Sequence, residues 1–223
     1  MTYILNIETS TTVCSVSIAK NGELLAIKEI NNGFTHAENL HVFILEVLNK
    51  INITPQQLKA VAVSKGPGSY TGLRIGVSAA KGLCFALQIP LISINTLQLL
   101  TANVAEASSK AVYCPMLDAR RMEVYTSLYD ENLIELMPTE ALIVTEDSIL
   151  KFNDFPLIYF FGDGMPKCKS LLEKNTNFKC IDNIVPSAKS MCNLSYIKFK
   201  KQHFEDVAYF EPFYLKDFMI GKK

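Results

Sequence analysis

The stretch Ser64-Lys65-Gly66-Pro67-Gly68-Ser69-Tyr70-Thr71-Gly72-Leu73-Arg74-Ile75-Gly76-Val77-Ser78-Ala79-Ala80-Lys81-Gly82 gathers five of the chain's ten glycines. An apolar run, Ala60 to Val63, feeds a Gly-Pro-Gly loop, and a helical pattern follows from about Tyr70 to Leu87. Exposed amides at such a helix start attract anions. Two nucleotide motifs nevertheless fail at their diagnostic positions. A Walker loop needs Lys followed by Ser or Thr after its last glycine, and Gly72 is followed by Leu73. A dinucleotide fingerprint needs a third glycine where Thr71 stands, and an acid after the next strand where Asn95 stands. What remains is a tight strand-to-helix turn and a helix with Gly72, Gly76 and Ala80 at every fourth position. That nearly bare face allows another helix to approach closely.

Other candidates are sparser. Glu8-Thr9-Ser10-Thr11 follows an apolar strand, where phosphate turns carry Asp-x-Gly-Thr or Asp-x-Gly-Ser. Here Glu8 replaces Asp and Ser10 replaces Gly, which restricts close backbone approach, so a plain polar turn is the simpler reading. Gly162-Asp163-Gly164 after a buried run could be a second loop, although a helix-entry turn gives the same pattern. His36 and His41 are five apart and splay, and Leu40 stands where a second ligand on the same helix face would fall. No transition-metal site is expected. Asp118, Arg120, Arg121 and Glu123 lie at a strand–turn–strand junction and read as salt-bridged, solvated turn residues. There is no Gly-x-Ser-x-Gly elbow and no Ser/His/Asp set, so no catalytic residue is assigned.

The elements that must position these residues are clear in outline. Tyr3–Ile7, Val13–Ala19 and Leu24–Ile30 read as strands, with Asn21-Gly22 as a hairpin turn. Thr35-His36-Ala37-Glu38 is a capping-box pattern opening a helix to about Ile51. Its stripe of Ala37, Leu40, Ile44, Val47 and Ile51 suits a sheet, and Val42, Phe43 and Leu45 widen the apolar surface, so it must be covered on more than one side. Strand Ala60–Val63, the glycine loop, a second helix, strand Leu91–Ile94 and a helix from Thr96 to about Ala107 complete the first half. The second half repeats the order. Val112–Leu117, Met122–Tyr129, Leu133–Leu136 and Ala141–Val144 read as strands, followed by a short helix at Thr145-Glu146-Asp147, a buried strand Leu157–Phe161, a helix from Pro166 to about Lys174 and another from Ser187 to Lys201. The aromatic tail from Val207, interrupted by Pro212, is expected to return over the core. The repeated order suggests a duplicated α/β architecture with a seam at Ser108-Ser109-Lys110, giving lobes 1–107 and 108–223.

Composition sets bounds. The 223 residues are 49% hydrophobic and 20% charged with zero net charge, which is ordinary for a globular protein and lacks the basic excess of a free-standing nucleic-acid binder. Residues 1–150 carry 10 basic and 14 acidic side chains, and residues 151–223 carry 12 and 8, so the second part leans basic. Six scattered cysteines without a Cys-x-x-Cys pair point to a reducing, cytoplasmic setting.

Ile4-Leu5-Asn6-Ile7-Glu8-Thr9-Ser10, His36-Ala37-Glu38 and the long glycine stretch resemble the bacterial TsaB family, the accessory subunits for threonylcarbamoyladenosine formation on tRNA, once filed with glycoprotease-like proteins. The likeness is strongest over residues 1–100, with Gly162-Asp163-Gly164 and Glu211-Pro212-Phe213-Tyr214-Leu215-Lys216 matching later. It implies an α/β, two-lobed actin–Hsp70–sugar kinase (ribonuclease H-like) fold, each lobe a mixed sheet flanked by helices. It implies a non-catalytic scaffold that binds the catalytic paralogue TsaD, which modifies adenosine 37 of ANN-decoding tRNAs, within a larger complex containing TsaE. A separate enzyme, TsaC, makes threonylcarbamoyl-adenylate. Relatives of the TsaD type carry a His-x-x-x-His metal pair, which is His36 and Leu40 here, so neither metal nor cofactor is expected. The family's interface is a bundle of the first two long helices, which implies partner contacts at His36, Leu40, Val42, Phe43, Leu45, Tyr70, Gly72, Leu73, Gly76, Ala79 and Ala80. A homodimer through the same helices is expected when TsaD is absent, and Gly76→Leu is expected to spare the fold while weakening TsaD binding. Glu8, Thr9, Ser10, Gly162 and Gly164 would be degenerate phosphate loops. The contrasting reading is an ATP-using enzyme, kinase-like or a glycoprotease-type peptidase, acting directly.

Overall fold

Alternating apolar residues flanked by turn chemistry build two sheets of identical design. In the computed structural model, which describes residues 1–33, 35–104 and 111–216, the first sheet comprises β1 (Tyr3–Glu8), β2 (Val13–Lys20), β3 (Glu23–Asn31), β4 (Leu58–Gly66) and β5 (Leu91–Asn95). The second comprises β6 (Val112–Asp118), β7 (Glu123–Tyr129), β8 (Glu135–Ile143), β9 (Ile158–Phe161) and β10 (Phe178–Ile181). The orders are β3-β2-β1-β4-β5 and β8-β7-β6-β9-β10, each with an antiparallel meander joined to two parallel strands. This is the two-lobed actin–Hsp70–sugar kinase arrangement, and the duplication is one of topology.

Both faces of the first sheet are buried at its centre, where β1 and β4 are apolar at nearly every position. Leu5, Ile7, Val61 and Val63 point to one side, where α1 (His36–Lys50) and α2 (Tyr70–Leu87) pack. Ile4, Ala60 and Ala62 point to the other, against Leu99 of α3 (Thr96–Ala102) and Ala188 and Met191 at the start of α5 (Met191–Lys200). Helix α3 also joins the lobes, since its Leu97 and Leu100 pack with Tyr113, Leu117, Tyr129 and Phe161 of the second sheet.

Several expectations are corrected. Leu133–Leu136 and Ala141–Val144 are not two strands; one strand, β8, spans Pro138, which an edge strand tolerates because it donates on one side only. The segment at Thr145-Glu146-Asp147 forms turns rather than a helix, and the helix from Pro166 is a short helical turn followed by α4 (Lys169–Leu172). Strand β10 is an addition to the sequence reading. The Thr35 hydroxyl makes no cap, so the capping box does not form, whereas Ser69 Oγ accepts from Gly72 N at 3.3 Å as a cap should. The seam at 108–110 lies outside the described residues. A second lobe running to 223 is corrected at α5, which the structure places on the first sheet. No helix among the described residues is long and apolar enough to cross a membrane.

Candidate functional site

The polar turn between β1 and β2 is filled by its own chain. Glu8, Thr9 and Ser10 are buried. Ser10 N donates to Glu8 Oε1 at 2.5 Å, Ser69 N donates to the Ser10 carbonyl at 2.6 Å, and Thr9 Oγ1 donates to the Gly72 carbonyl at 2.8 Å. His36 Nε2 lies 2.8 Å from the Thr11 carbonyl oxygen. Gly68, just before α2, and Gly72 and Gly76 within it make room for this contact. A Cβ at Gly68 would strike the Ser10 carbonyl, one at Gly72 the Thr9 carbonyl, and one at Gly76 Thr9 Oγ1. The close approach read from the Gly72-Gly76-Ala80 spacing is therefore real, but what approaches is this turn, not a helix of another molecule. The Ser10 amide, at the position where a phosphate turn has its glycine, is engaged within the protein by the Glu8 carboxylate.

Within this knot Glu8 Oε2, Ser10 Oγ and Ser64 Oγ have no hydrogen-bond partner among the described residues. Burial raises the Glu8 carboxyl above its ordinary range; the Ser10 amide and the neighbouring Ser10 and Ser64 hydroxyls oppose this, and the charge of Glu29 adds to it.

The residues assigned to a partner interface divide sharply. His36, Leu40, Phe43, Gly72, Leu73, Gly76 and Ala80 are interior, packed under α1 and α2. They are corrected from surface contacts to core residues. Val42 and Leu45 stand out from α1, 49% and 59% exposed. Ala79 and Tyr70 are half-buried. Sequence reasoning missed Phe85, which projects from the otherwise polar outer stripe of α2 at 74% exposure. An aromatic on a stripe shared with Thr71, Arg74 and Ser78 was the signal available. Both helices cover the same sheet face, so Val42, Leu45 and Phe85 belong to one outer layer.

Along the flank of α2 runs a strap, residues 204–216. Glu205 bridges to Leu91 at the sheet edge, Lys81 Nζ donates to the carbonyls of Ala208 (3.1 Å) and Phe210 (2.9 Å), and Phe213 N donates to the Lys65 carbonyl at 2.6 Å. Arg74 lies over the Tyr70 ring and donates to Tyr214 Oη, and Tyr70 packs on Tyr214. Lys216 reaches Glu123 on the second lobe.

The second lobe's loop is also stitched to its sheet. Gly164 N donates to the Met116 carbonyl at 2.9 Å and Asp163 Oδ1 accepts from Asp118 N at 3.0 Å; a Cβ at Gly162 would collide with the Met116 carbonyl. Gly162-Asp163-Gly164 is thus a close-packed strand-to-helix turn. Of the four charged residues at the β6–β7 turn, Asp118 pairs with Lys167 and Glu123 with Lys216 as expected of turn ion pairs, whereas Arg120 and Arg121 pair with nothing among the described residues.

The chain matches the family model TsaD: tRNA N6-adenosine threonylcarbamoyltransferase over residues 33–217. It is 32% identical over 174 residues to the tRNA threonylcarbamoyladenosine biosynthesis protein TsaB of Bacillus subtilis, covering 76% of this chain and 75% of that one. It is 27% identical to the protein of the same name from Escherichia coli, over 99% of this chain and 97% of that one. Among solved structures, YeaZ from Pseudomonas aeruginosa superposes with a TM-score of 0.79 at 22% identity, covering 96% of this chain and all of that one, a likeness of fold.

Proposed function

The chain belongs to the TsaD family, within its TsaB group of tRNA threonylcarbamoyladenosine biosynthesis proteins, and from this we propose that it is a non-catalytic subunit that binds TsaD. One observation carries the reading. The outer face of α1 and α2 exposes Val42, Leu45 and Phe85 while the same helices are fully seated on their own sheet through Leu40, Phe43, Val77 and Cys84. Large apolar side chains left outside an already complete core are what an interface supplies. The sealed turn at Glu8-Thr9-Ser10 supports the absence of ATP chemistry in this chain. In this reading TsaD occupies the α1–α2 face, TsaE joins the larger assembly, tRNA is modified on TsaD, and the whole operates in the cytoplasm. Without TsaD the same face pairs two copies of the chain.

The test is co-purification with TsaD from the same organism, wild type against Val42→Asp/Leu45→Asp. Both positions are solvent-exposed, so melting should be unchanged while TsaD affinity falls about 10–100-fold, the range for central interface residues. Native-like TsaD binding by the double variant would exclude this face. ATP turnover by the purified chain that disappears in Glu8→Ala would exclude the non-catalytic assignment.

A further inference from the structure

The turn joining β6 and β7 is the counterpart, in the duplicated topology, of the turn joining β1 and β2. The two have opposite fates. In the first lobe the turn is roofed by Gly68 and by Gly72 and Gly76 of the long helix that follows it. In the second, Gly164 packs against Leu117 and Asp118 but only the short α4 follows, so Arg120, Arg121 and Met122 remain exposed. Both arginines have left-handed backbone, with φ of +70° and +50°, which L side chains other than Asn and Asp rarely adopt.

The choice of residue is informative. The chain contains three arginines against 19 lysines. Arg74 is engaged with Tyr70 and Tyr214. The other two are adjacent on this one turn, where lysine or glycine would serve solubility or conformation better. Among the described residues neither guanidinium has an ion pair or hydrogen bond, because the local carboxylates are taken. Asp118 holds Lys167 and the Arg120 amide (3.0 Å), Asp163 holds the Asp118 amide, and Glu123 holds Lys216. Those contacts fix the turn and leave both planar cationic forks without a partner among the described residues. Arginine replaces lysine where bidentate oxyanion geometry matters.

We propose that the Arg120–Arg121 turn binds the phosphodiester backbone of RNA. This rests on the family's role in tRNA modification. A hairpin tip that presents two adjacent exposed guanidiniums suits a polyanion passing across it.

The experiment measures binding of an unmodified ANN-decoding tRNA to the full chain, alone and assembled with TsaD, over a series of salt concentrations. Arg120→Asn/Arg121→Asn keeps residues that tolerate left-handed backbone. It should weaken binding about tenfold near 0.1 M salt and reduce the salt slope by about 1–2. Its melting temperature should hold or rise by about 2–4 °C as strain is relieved. Arg120→Lys/Arg121→Lys should keep most of the salt slope yet lose part of the affinity. Lost binding with raised or constant melting is the signature of a contact rather than a structural role. Unchanged affinity and slope in the Asn variant, no tRNA affinity in the wild-type assembly, loss of binding only alongside early melting, or displacement of tRNA by stoichiometric ATP would each overturn the proposal. TsaD-dependent modification by the wild-type assembly is scored in parallel. If modification is intact but binding ignores the arginines, only this assignment falls; if the chain never supports modification, the function proposed above falls with it.

Discussion

Glu8 is the residue on which the sealed turn depends, and its chemistry has a measurable signature. Its carboxyl is raised by burial, so the folded state holds a proton that the unfolded state has released above the ordinary carboxylate range. Stability from this group is complete below that range and is lost as pH rises through the folded value. Glu8→Gln keeps an oxygen for the Ser10 amide without an ionisable proton. The variant should therefore melt higher than wild type at pH 8–9, by about 2–4 °C or more, with the difference vanishing near pH 4; thermal melts across pH read it directly. Gly76 and Gly82 make a paired test of the glycine stripe. A Cβ at Gly76 meets Thr9 Oγ1, and at Gly82 it meets nothing. Gly76→Ala should destabilise by about 1–3 kcal/mol through overpacking. Gly82→Ala should stabilise by up to about 1 kcal/mol through helix propensity. Denaturant titrations with opposite shifts of midpoint would confirm the packing. The spacing of Gly72, Gly76 and Ala80 showed that something comes close, and could not show what, because a bare face is equally suited to a neighbouring helix and to a neighbouring turn.

At the scale of elements, the sequence was most legible where periodicity and punctuation agree. The opening meander, α1, α2 and the paired strands of the second half stand within a residue or two of their reading, because alternation, Asn21-Gly22 and the Ser69 cap all act locally. It was least legible where tertiary contact decides. Strand β10, Phe178–Ile181, is four residues long and exists because it pairs with β9. Pro138 looks like a break and is not one, since β8 is an edge. The strap has no periodicity of its own and is held by Lys81, whose ammonium bonds two of its carbonyls. Hydrogen bonds to a charged donor contribute about 1.5–3 kcal/mol each where shielded and less where exposed, as here. Lys81→Met should therefore loosen the strap without unfolding the core. Limited proteolysis should cut the segment 206–214 several-fold faster, while the melting temperature falls by no more than about 2–4 °C. An unchanged cleavage rate would mean that the aromatic contacts of Tyr214 and the Phe213 amide alone hold it.

For the whole molecule, the chain's path makes the two lobes interdependent in a way that element order conceals. The centre of the first sheet is buried on both faces, and one of those faces is covered by residues from far along the chain: Ala188 and Met191, themselves fully buried, and Leu194, Tyr196 and Phe199, partly so. Small polar residues of β2 record this contact. Ser15 Oγ accepts from Ala188 N at 3.0 Å, and Ser17 Oγ donates to the Ala188 carbonyl at 2.7 Å, so these serines anchor the segment that leads into α5. Lys198 Nζ adds a bond to the Ser93 carbonyl at 2.6 Å. A fragment of residues 1–107 would expose Ile4, Ile92 and Ile94, losing roughly 1.5–3 kcal/mol for each large side chain uncovered. Several such losses match the whole stability of a domain, about 5–15 kcal/mol. That fragment should be a loosely packed species that binds a hydrophobic dye and melts without a sharp transition. Joining residues 186–216 to it through a flexible linker should restore a cooperative melt, because Ala188, Met191 and the strap return to their seats. A sharp, native-like transition for residues 1–107 alone would show that the first sheet needs no cover from α5, and the lobes would then be independent folding units.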